Sequence, residues 1–255
     1  MQPSFSYVSS PFTVRFLQRG DIDRLLVLEH QQWTPRQAAS GEEMQQRMET
    51  WPELCLGVFC PESGAALASA FLRPIHRADV ARARTWQDCA HLQRGRPPQD
   101  GRRSLFGISV TSVHPAAVRP MQQALWVQAV QQGWRDIYLG SPVPGLRRAM
   151  ERNPGLDVEQ YVRQRRHGLP VDPQLRYYHG KGFREIVAVR PDYFPHEESL
   201  DYGAVLRHVL PYGELDWLLR QTPPGVLRHL ATGLYGPAGA PRASLARSVA
   251  EALGL

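Results

Sequence analysis

The chain has 255 residues, a formal net charge of +6 and a hydrophobic fraction of 42%. This length fits one large domain or a domain with an added subdomain, and the composition is ordinary for a globular protein. No apolar run is long enough to span a bilayer, and residues 1–14 lack the basic and apolar segments of a secretion signal. We therefore expect neither a membrane-spanning nor a secreted protein.

Charge and cysteine usage indicate the environment of the protein. Arginine carries far more of the positive charge than lysine. This excess suits acidic partners such as phosphate groups, acidic carrier proteins or nucleic acid, but a genome biased toward arginine codons explains it equally well. The three cysteines, Cys55, Cys60 and Cys89, do not have metal-binding spacing, so no metal is predicted. Their odd number favours a reducing cytoplasm.

Two helices are predicted in the first fifty residues. Asp21 precedes apolar residues at helical spacing, so it is the predicted N-cap of a helix over 22–32. Ser40 and Glu43 have the spacing of a capping box, which predicts a second helix over 41–50. Alternating and β-branched residues predict three strands around these helices, at residues 13–17, 54–59 and 65–72.

Residues 76–103 are polar and contain Pro97, Pro98 and Gly101. This composition predicts an irregular surface excursion, which is often functional when it is this long. Trp86 lies within the excursion. Its large apolar ring is either a packed anchor or a group that faces a ligand.

The middle of the chain predicts a strand, a tight loop, a helix and a return strand. Apolar residues alternate along the first strand, at Phe106, Ile108, Val110 and Val113. The strand ends at Pro115, and Pro120 stands where a helix is expected to begin. Apolar residues at helical spacing continue this helix over 121–134. A short buried strand is predicted at 136–139.

The second half of the chain alternates helices and strands before a helical tail. Helices are predicted at 146–152 and 158–166, followed by strands at 184–189 and 204–209. In the tail, apolar residues at helical spacing predict helices at 215–219, 226–234 and 244–253.

The central strand, loop, helix and return strand resemble the acyl-CoA-binding core of the GCN5-related N-acetyltransferase (GNAT) superfamily. In that family a loop R/Q-x-x-G-x-G/A holds the CoA pyrophosphate with backbone N–H groups at a helix N-terminus. Arg119 and Ala124 match this loop, but Gln122 replaces its middle glycine and Pro120 removes a donor. The resemblance implies that Val113, Arg119, Gln122 and Ala124 contact the cofactor, and the departures predict weak binding of free CoA.

Several short motifs are similar to a narrower group within this superfamily. The group includes GNAT proteins associated with nitrilase-like hydrolases and the GNAT-like domains that load polyketide assembly lines. The matching segments are Arg84-Thr85-Trp86, Ser141 with Pro144-Gly145, Glu159-Gln160-Tyr161-Val162, Asp172-Pro173-Gln174-Leu175 and Gly182-Phe183. Each motif is weak alone, but their order and spacing extend the resemblance over residues 13–210.

The resemblance implies an α/β (α+β) fold, namely a GNAT-like, mixed and mostly antiparallel central sheet flanked by helices. It places a GNAT-like acyltransferase domain at residues 1–212 and leaves residues 213–255 as a helical C-terminal extension. This extension packs on the core, forms a dimer contact or docks on a carrier protein.

Acyl transfer from a thioester needs a donor to the carbonyl oxygen, a base for the acceptor and an acid for the thiolate. The resemblance assigns the acid role to Tyr178, the tyrosine of the family segment F/Y-Y-x-x-x-G-F; a packed aromatic ring is the alternative. His179 is the nearest titrating group. Trp86 and Arg147 are the substrate-binding candidates, with Arg147 suited to a carboxylate or phosphate.

Two other functions stay open. In the polyketide-loading relatives a core-strand threonine and a histidine after the P-G turn are implicated in malonyl-thioester decarboxylation. Thr111 matches the threonine and is our second catalytic candidate, although strand pairing alone also explains it. The histidine position falls on Leu146 or Arg147, so that match fails. The third possibility is a GNAT-fold protein that has lost CoA binding and is redirected or non-catalytic.

The expected substrate is a CoA thioester or a phosphopantetheine-linked acyl group. The expected partners are a small-molecule amine or thiol acceptor and, for a carrier-bound acyl group, an acyl-carrier protein. We expect no membrane or nucleic-acid partner, and a homodimer stays open.

Overall fold

The computed structural model describes residues 6–9, 11–90 and 104–236. These residues form a mixed, mostly antiparallel β-sheet with flanking helices, which confirms the predicted fold class. The strands are β1 (Ser6–Ser9), β2 (Phe12–Phe16), β3 (Cys55–Phe59), β4 (Ala66–Ile75), β5 (Ser104–Ser112), β6 (Asp136–Pro142), β7 (Arg165–Arg166), β8 (Leu169–Pro170), β9 (Glu185–Arg190) and β10 (Gly203–Val209).

Helices lie between several of these strands and follow the last one. They are α1 (Ile22–Gln32), α2 (Gly41–Thr50), α3 (Arg77–Arg82), α4 (Trp86–Ala90), α5 (Val118–Gln132), α6 (Leu146–Arg152), α7 (Val158–Arg163), α8 (Pro173–Gly180), α9 (Asp216–Leu219) and α10 (Pro224–Leu234). In the part of the chain that the structure describes, no helix is both long and apolar enough to cross a membrane.

The chain divides into two compact units. The first contains the described residues of Met1–Leu72, Ser109–Arg135 and Leu210–Leu255, and the second those of Arg73–Ile108 and Asp136–Val209. Strands β4 and β5 each contribute residues to both units. The two units are described in turn.

In the first unit, strands β1 to β5 follow one another in the sheet. Strands β1 to β4 pair antiparallel, with Val14 opposite Val58. Alternate residues of β2 are buried, while every residue of β3 is buried. A strand buried on one face alternates in hydrophobicity and one buried on both faces does not, so these two strands lie at different depths in the unit.

The predicted starts of α1 and α2 are both found, but their N-cap side chains bond differently. Ser40 Oγ accepts the Glu43 N–H at 3.2 Å and Glu43 accepts the Ser40 N–H at 2.8 Å, which confirms the capping box. Asp21 is the N-cap of α1, but its carboxylate does not cap the helix. It accepts two bonds of 2.7 Å from Arg15 and one of 2.8 Å from the Gln18 N–H. The charged guanidinium is the stronger donor and holds the carboxylate away from the helix.

The described part of the C-terminal extension packs within the first unit. Helix α10 contacts α5, and Leu227, Leu230 and Ala231 of α10 are buried. The indole N–H of Trp126, on α5, donates to the Pro211 carbonyl at 3.0 Å. Residues 213–236 of the extension therefore pack on the core, which is the first of the three alternatives. The domain boundary at residue 212 stays a prediction, and the helix predicted at 244–253 lies outside the described residues.

In the second unit, β5 pairs parallel with β6, and β6 is followed by β10 and β9 in antiparallel pairs. The parallel pairing runs from Ser104 opposite Asp136 to Gly107 opposite Leu139. Beside the sheet lies a cluster of buried apolar residues: Leu139, Val143, Leu146, Tyr161, Val162, Leu175, Ala204 and Leu206. This cluster contains the motif residue Tyr161 and the residues around the P-G turn, so the motifs form one packed region.

Two predictions for the second unit were wrong. Residues 77–82 and 86–90 are the short helices α3 and α4 rather than irregular chain, whereas 91–103 lie outside the described residues. The helix predicted at 158–166 ends at Arg163, and the small hairpin of β7 and β8 follows. Asp88 stabilises the start of α4 by accepting hydrogen bonds from the backbone N–H groups of Arg84 and Thr85. The polar composition of this stretch suggested irregular chain and did not indicate such a local side-chain cap.

Candidate functional site

The predicted cofactor-binding residues lie around the start of α5, in the first unit. Val113 follows β5, and its N–H donates to the Leu67 carbonyl at 3.1 Å. Arg119 is exposed, Gln122 is half-buried, and Ala124 is buried. The N–H of Val113 is therefore engaged in strand pairing, and Arg119 is the residue of this set that presents charge to solvent.

Helix α5 begins three residues before the predicted start. It starts at Val118, directly after a 3-10 turn at Pro115–Ala117, so Pro120 is its third residue. Only the first N–H groups of a helix lack intrahelical acceptors, and a proline here removes one of them. Gln122 is the fifth residue, and its N–H falls in the bonded part of the helix. In the GNAT superfamily this segment is the loop that holds the CoA pyrophosphate. In this chain the same segment is part of a continuous helix.

We expect weak or no binding of free CoA for this reason. Titration calorimetry with acetyl-CoA and malonyl-CoA measures it, and Gln122→Gly is the informative variant because glycine allows close approach of a phosphate to the backbone. Tighter binding by the variant than by the unaltered chain is the expected result. Tight binding of either thioester by the unaltered chain would contradict the prediction.

Thr111 lies in a buried hydrogen-bond network of the first unit. Its hydroxyl accepts the indole N–H of Trp33 at 2.8 Å and donates to the Glu29 carboxyl group at 2.8 Å. Glu29 also accepts the Ala39 N–H at 3.2 Å. Thr111 and Glu29 are almost completely buried, at 1% and 2% exposure. The hydroxyl of this catalytic candidate is therefore held by two partners within its own unit.

Replacing Thr111 should chiefly affect stability. Thr111→Val keeps the shape but leaves the Glu29 carboxyl group and the Trp33 N–H short of a partner, so we expect the free energy of unfolding to fall by about 1.5–3 kcal/mol. Thr111→Ser keeps the hydroxyl and is the matched control. Denaturant unfolding followed by Trp fluorescence measures both variants. Equal midpoints for Thr111→Val and the unaltered chain would show that the network contributes little.

Tyr178 lies on α8, in the second unit, with its ring packed against the buried cluster of that unit. It makes edge contacts with the rings of Tyr177 and Phe183, at centroid distances of 5.4 and 5.9 Å. Burial raises the pKa of Tyr178 to about 12, outweighing the opposing effect of a hydrogen bond with Gln174. A tyrosine carries its proton near neutral pH in any case, so the phenol has a proton to give, and the raised pKa makes it a weaker acid than an exposed tyrosine.

Asp172 explains why the short motifs occur together. Its carboxylate accepts the N–H groups of Gln174 and Leu175 at the start of α8 and the Gly145 N–H at 2.9 Å. The Tyr161 hydroxyl donates to the same carboxylate at 3.3 Å. A Cβ at Gly145 would overlap the Tyr161 hydroxyl, so glycine is required. One buried carboxylate thus connects the P-G turn, the E-x-Y-V helix and the D-P-x-L helix that carries Tyr178.

Trp86 and Arg147 are both anchored on the connection between β9 and β10. The backbone N–H of Trp86 donates to the Tyr193 carbonyl at 2.9 Å. The guanidinium of Arg147 donates to the Glu197 carbonyl at 2.7 Å and lies within 4.0 Å of the Glu198 carboxylate. Arg147 therefore already has protein partners, and an incoming anion would share it with these acidic side chains.

Gly140 on β6 makes room for this arrangement. A Cβ there would lie 2.5 Å from a ring carbon of Tyr193 and 3.3 Å from Trp86 Cδ1. Trp86 is half-buried and Tyr193 is buried. The structure therefore brings Trp86 and Arg147 to one connecting segment, whose own polar residues carried no motif in the sequence.

Within the described ranges, no group of three or more histidine, cysteine, aspartate or glutamate side chains could hold a metal ion.

Two solved structures are similar to this chain over most of its length. The GphF GNAT-like decarboxylase in complex with isobutyryl-CoA matches with a TM-score of 0.61 and 23% identity, covering 77% of this chain and 98% of that one. The loading GNATL domain of CurA from Lyngbya majuscula matches with a TM-score of 0.62 and 17% identity, covering 79% and 98%. No protein-family model and no curated protein matches the sequence.

These likenesses show that the chain has the GNAT fold, which confirms the fold expected from the sequence. Because the sequence identities are only 23% and 17%, these structures do not establish a substrate or a reaction for this chain. The placement of Tyr178, Trp86 and Arg147 in the second unit is therefore the basis for a functional proposal.

Proposed function

We propose that the protein is an acyltransferase that takes an acyl group from a thioester, CoA-linked or carrier-linked, and passes it to an amine or thiol acceptor. The single observation that carries this proposal is Tyr178. Its ring packs against the buried cluster of the second unit, its phenol carries a proton near neutral pH, and Asp172 ties its helix to the turn before α6. The GNAT fold, which in one similar structure holds isobutyryl-CoA, supports a thioester as the donor.

The residues of the second unit have separate roles in this reaction. The acceptor attacks the thioester carbonyl carbon and releases its own proton to solvent, and the carbon–sulfur bond breaks with its electron pair on sulfur. Tyr178 gives its proton to that thiolate and regains one from solvent. Arg147, although shared with Glu197 and Glu198, contacts a carboxylate or phosphate of the donor. Trp86 covers apolar parts of the substrate with its half-buried ring.

A carrier-linked donor fits this chain better than free CoA. A phosphopantetheine arm on a carrier protein has no adenine nucleotide pyrophosphate, so its binding does not require the phosphate cradle that α5 replaces with helix. The contacts of the carrier surface would supply affinity instead. The net charge of +6 suits an acidic carrier protein.

Mass spectrometry of acetyl- and malonyl-loaded carrier protein, with and without an amine acceptor, tests the proposal. Loss of the acyl group from the carrier with its appearance on the acceptor is the expected result, at a higher rate than with acetyl-CoA. Absence of turnover with all these thioesters would overturn the proposed function and favour a non-catalytic GNAT-fold protein.

Decarboxylation of a malonyl thioester is the second candidate. The similarity to a GNAT-like decarboxylase favours it, and Arg147 is a cation able to meet the malonyl carboxylate before carbon dioxide leaves. The electron pair of the broken carbon–carbon bond would form an enolate, and solvent would protonate its carbon. The same assay separates the two candidates, because decarboxylation converts malonyl- to acetyl-carrier protein without any acceptor.

A further inference from the structure

The segment between β9 and β10 carries a histidine that the sequence analysis did not select. Trp86 is anchored on this segment at Tyr193, and Arg147 is anchored on it at Glu197. His196 lies between these two anchor points in the sequence. Both predicted substrate-binding residues therefore donate a hydrogen bond to the segment that contains this imidazole.

The backbone around His196 is strained and tightly held. Asp192, Leu200 and Asp201 are non-glycine residues with φ values of 49°, 49° and 61°, in the sparsely populated left-handed region. Asp201 offsets part of this cost because its carboxylate accepts the His196 N–H at 2.8 Å, and its own N–H donates to the His196 carbonyl at 3.2 Å. Strained backbone that neighbouring bonds hold in place is common at functional sites.

Ser199 determines which nitrogen of the imidazole carries hydrogen. Its hydroxyl oxygen is fully buried, accepts the Val143 N–H at 2.8 Å and lies 2.8 Å from His196 Nδ1. The serine hydrogen needs an acceptor, because leaving a buried hydroxyl donor unpaired is costly. Nδ1 lies within reach of that hydrogen, so we expect the neutral ring to carry its own hydrogen on Nε2.

The ring is neutral near physiological pH. Burial lowers the pKa of His196 below its ordinary value, outweighing the charges of Glu198, Asp201 and Asp172, which act in the opposite direction. The residue is half-buried, so part of it is accessible to solvent. Among the residues that the structure describes, none bonds to Nε2. The Nε2–H group is thus an oriented donor without a protein acceptor.

We propose that His196 is a further catalytic residue of the proposed reaction, whose Nε2–H donates a hydrogen bond to the thioester oxygen, and that Ser199 is its positioning residue. This proposal rests on the proposed function. As the acceptor attacks, the carbonyl electron pair moves onto oxygen, and it returns when the carbon–sulfur bond breaks. A fixed donor stabilises that oxyanion. His196 keeps its proton throughout, while the leaving thiolate takes its proton from Tyr178.

The same donor serves the decarboxylation alternative, because the enolate formed there places its charge on the same thioester oxygen. The Val113 N–H is not free for this role, since it donates to the Leu67 carbonyl. His196 is therefore expected to donate to the thioester oxygen of the substrate in both reactions.

Nitrogen-15 NMR of the histidine-labelled protein tests the tautomer without any need for turnover. Near neutral pH we expect the His196 signals, identified by their loss in His196→Gln, to show a protonated Nε2 and an unprotonated Nδ1. Ser199→Ala should weaken this preference, because the hydroxyl donor is gone. An Nδ1–H tautomer or an imidazolium in the unaltered protein would overturn the assignment.

Turnover of acetyl- and malonyl-loaded carrier protein tests the catalytic role. We expect His196→Ala to lower kcat on the order of a hundredfold with little change in KM. His196→Gln should retain part of the rate, because its amide N–H can replace Nε2–H. His229→Gln, an exposed histidine change on α10, should have no effect. Full kcat in His196→Ala would overturn this assignment alone, whereas no turnover by the unaltered protein would overturn the proposed function together with it.

Discussion

Tyr178→Phe is expected to slow acyl transfer on the order of a hundredfold while leaving the fold intact. The substitution removes a single hydroxyl, and the ring contacts with Tyr177 and Phe183 remain. Without the phenol proton, the thiolate leaves with its charge uncompensated or waits for a proton from water. The loss should therefore appear in kcat, measured by mass spectrometry of the acyl-carrier protein.

Tyr177→Phe is the matched control for this experiment. Tyr177 is the neighbouring residue on α8 and carries the same hydroxyl, but its side chain is 48% exposed. We expect its rate to equal that of the unaltered protein. Full activity of Tyr178→Phe would remove Tyr178 from the mechanism, and equal losses in both variants would indicate a general effect on α8.

A chain that ends at Tyr212 is expected to lose most of its stability and its solubility. The cut removes the buried side chains of Leu219, Leu227 and Leu230. Burial of a leucine contributes about 1.5–3 kcal/mol, so the loss is roughly 4.5–9 kcal/mol. A typical domain has only about 5–15 kcal/mol of net stability. The truncation also exposes the apolar face of α5, which favours aggregation.

A chain that ends at Gly236 is the control, because it retains α10. Thermal unfolding and size-exclusion chromatography should show this longer chain to be close to the full-length protein. A chain ending at Tyr212 that remains soluble, monomeric and equally stable would instead support an independent docking role for the extension.

Local signals in the sequence predicted much of the fold. The capping box of Ser40 and Glu43 needs only residues three positions apart, and it is found as expected. Helix α6 has its predicted bounds because the P-G turn begins it and its apolar spacing is unambiguous. Asp21 shows the limit of such signals. Its partner, Arg15, lies on another element, and that choice depends on tertiary structure.

Less of the candidate site than of the fold could be predicted from the sequence. Tyr178 and Arg147 were found because a family pattern or a favourable charge marked them. His196 and Ser199 had no such signal, because their pairing depends on left-handed backbone at Leu200 and Asp201, where glycine is the usual choice. Similarly, the bonds of Thr111 to Trp33 and Glu29 join residues about eighty positions apart, and no local pattern predicts contacts of that range.

The division of the chain has a consequence for its synthesis. The first unit draws on three separate stretches, Met1–Leu72, Ser109–Arg135 and Leu210–Leu255, and the second unit occupies the stretches between them. A ribosome delivers the last of these stretches only after the second unit is complete. The surface of α5 that α10 covers must therefore stay uncovered until residues 224–234 have been synthesised. We expect slow, late completion of folding and a need for chaperones to shield that apolar face on the nascent chain.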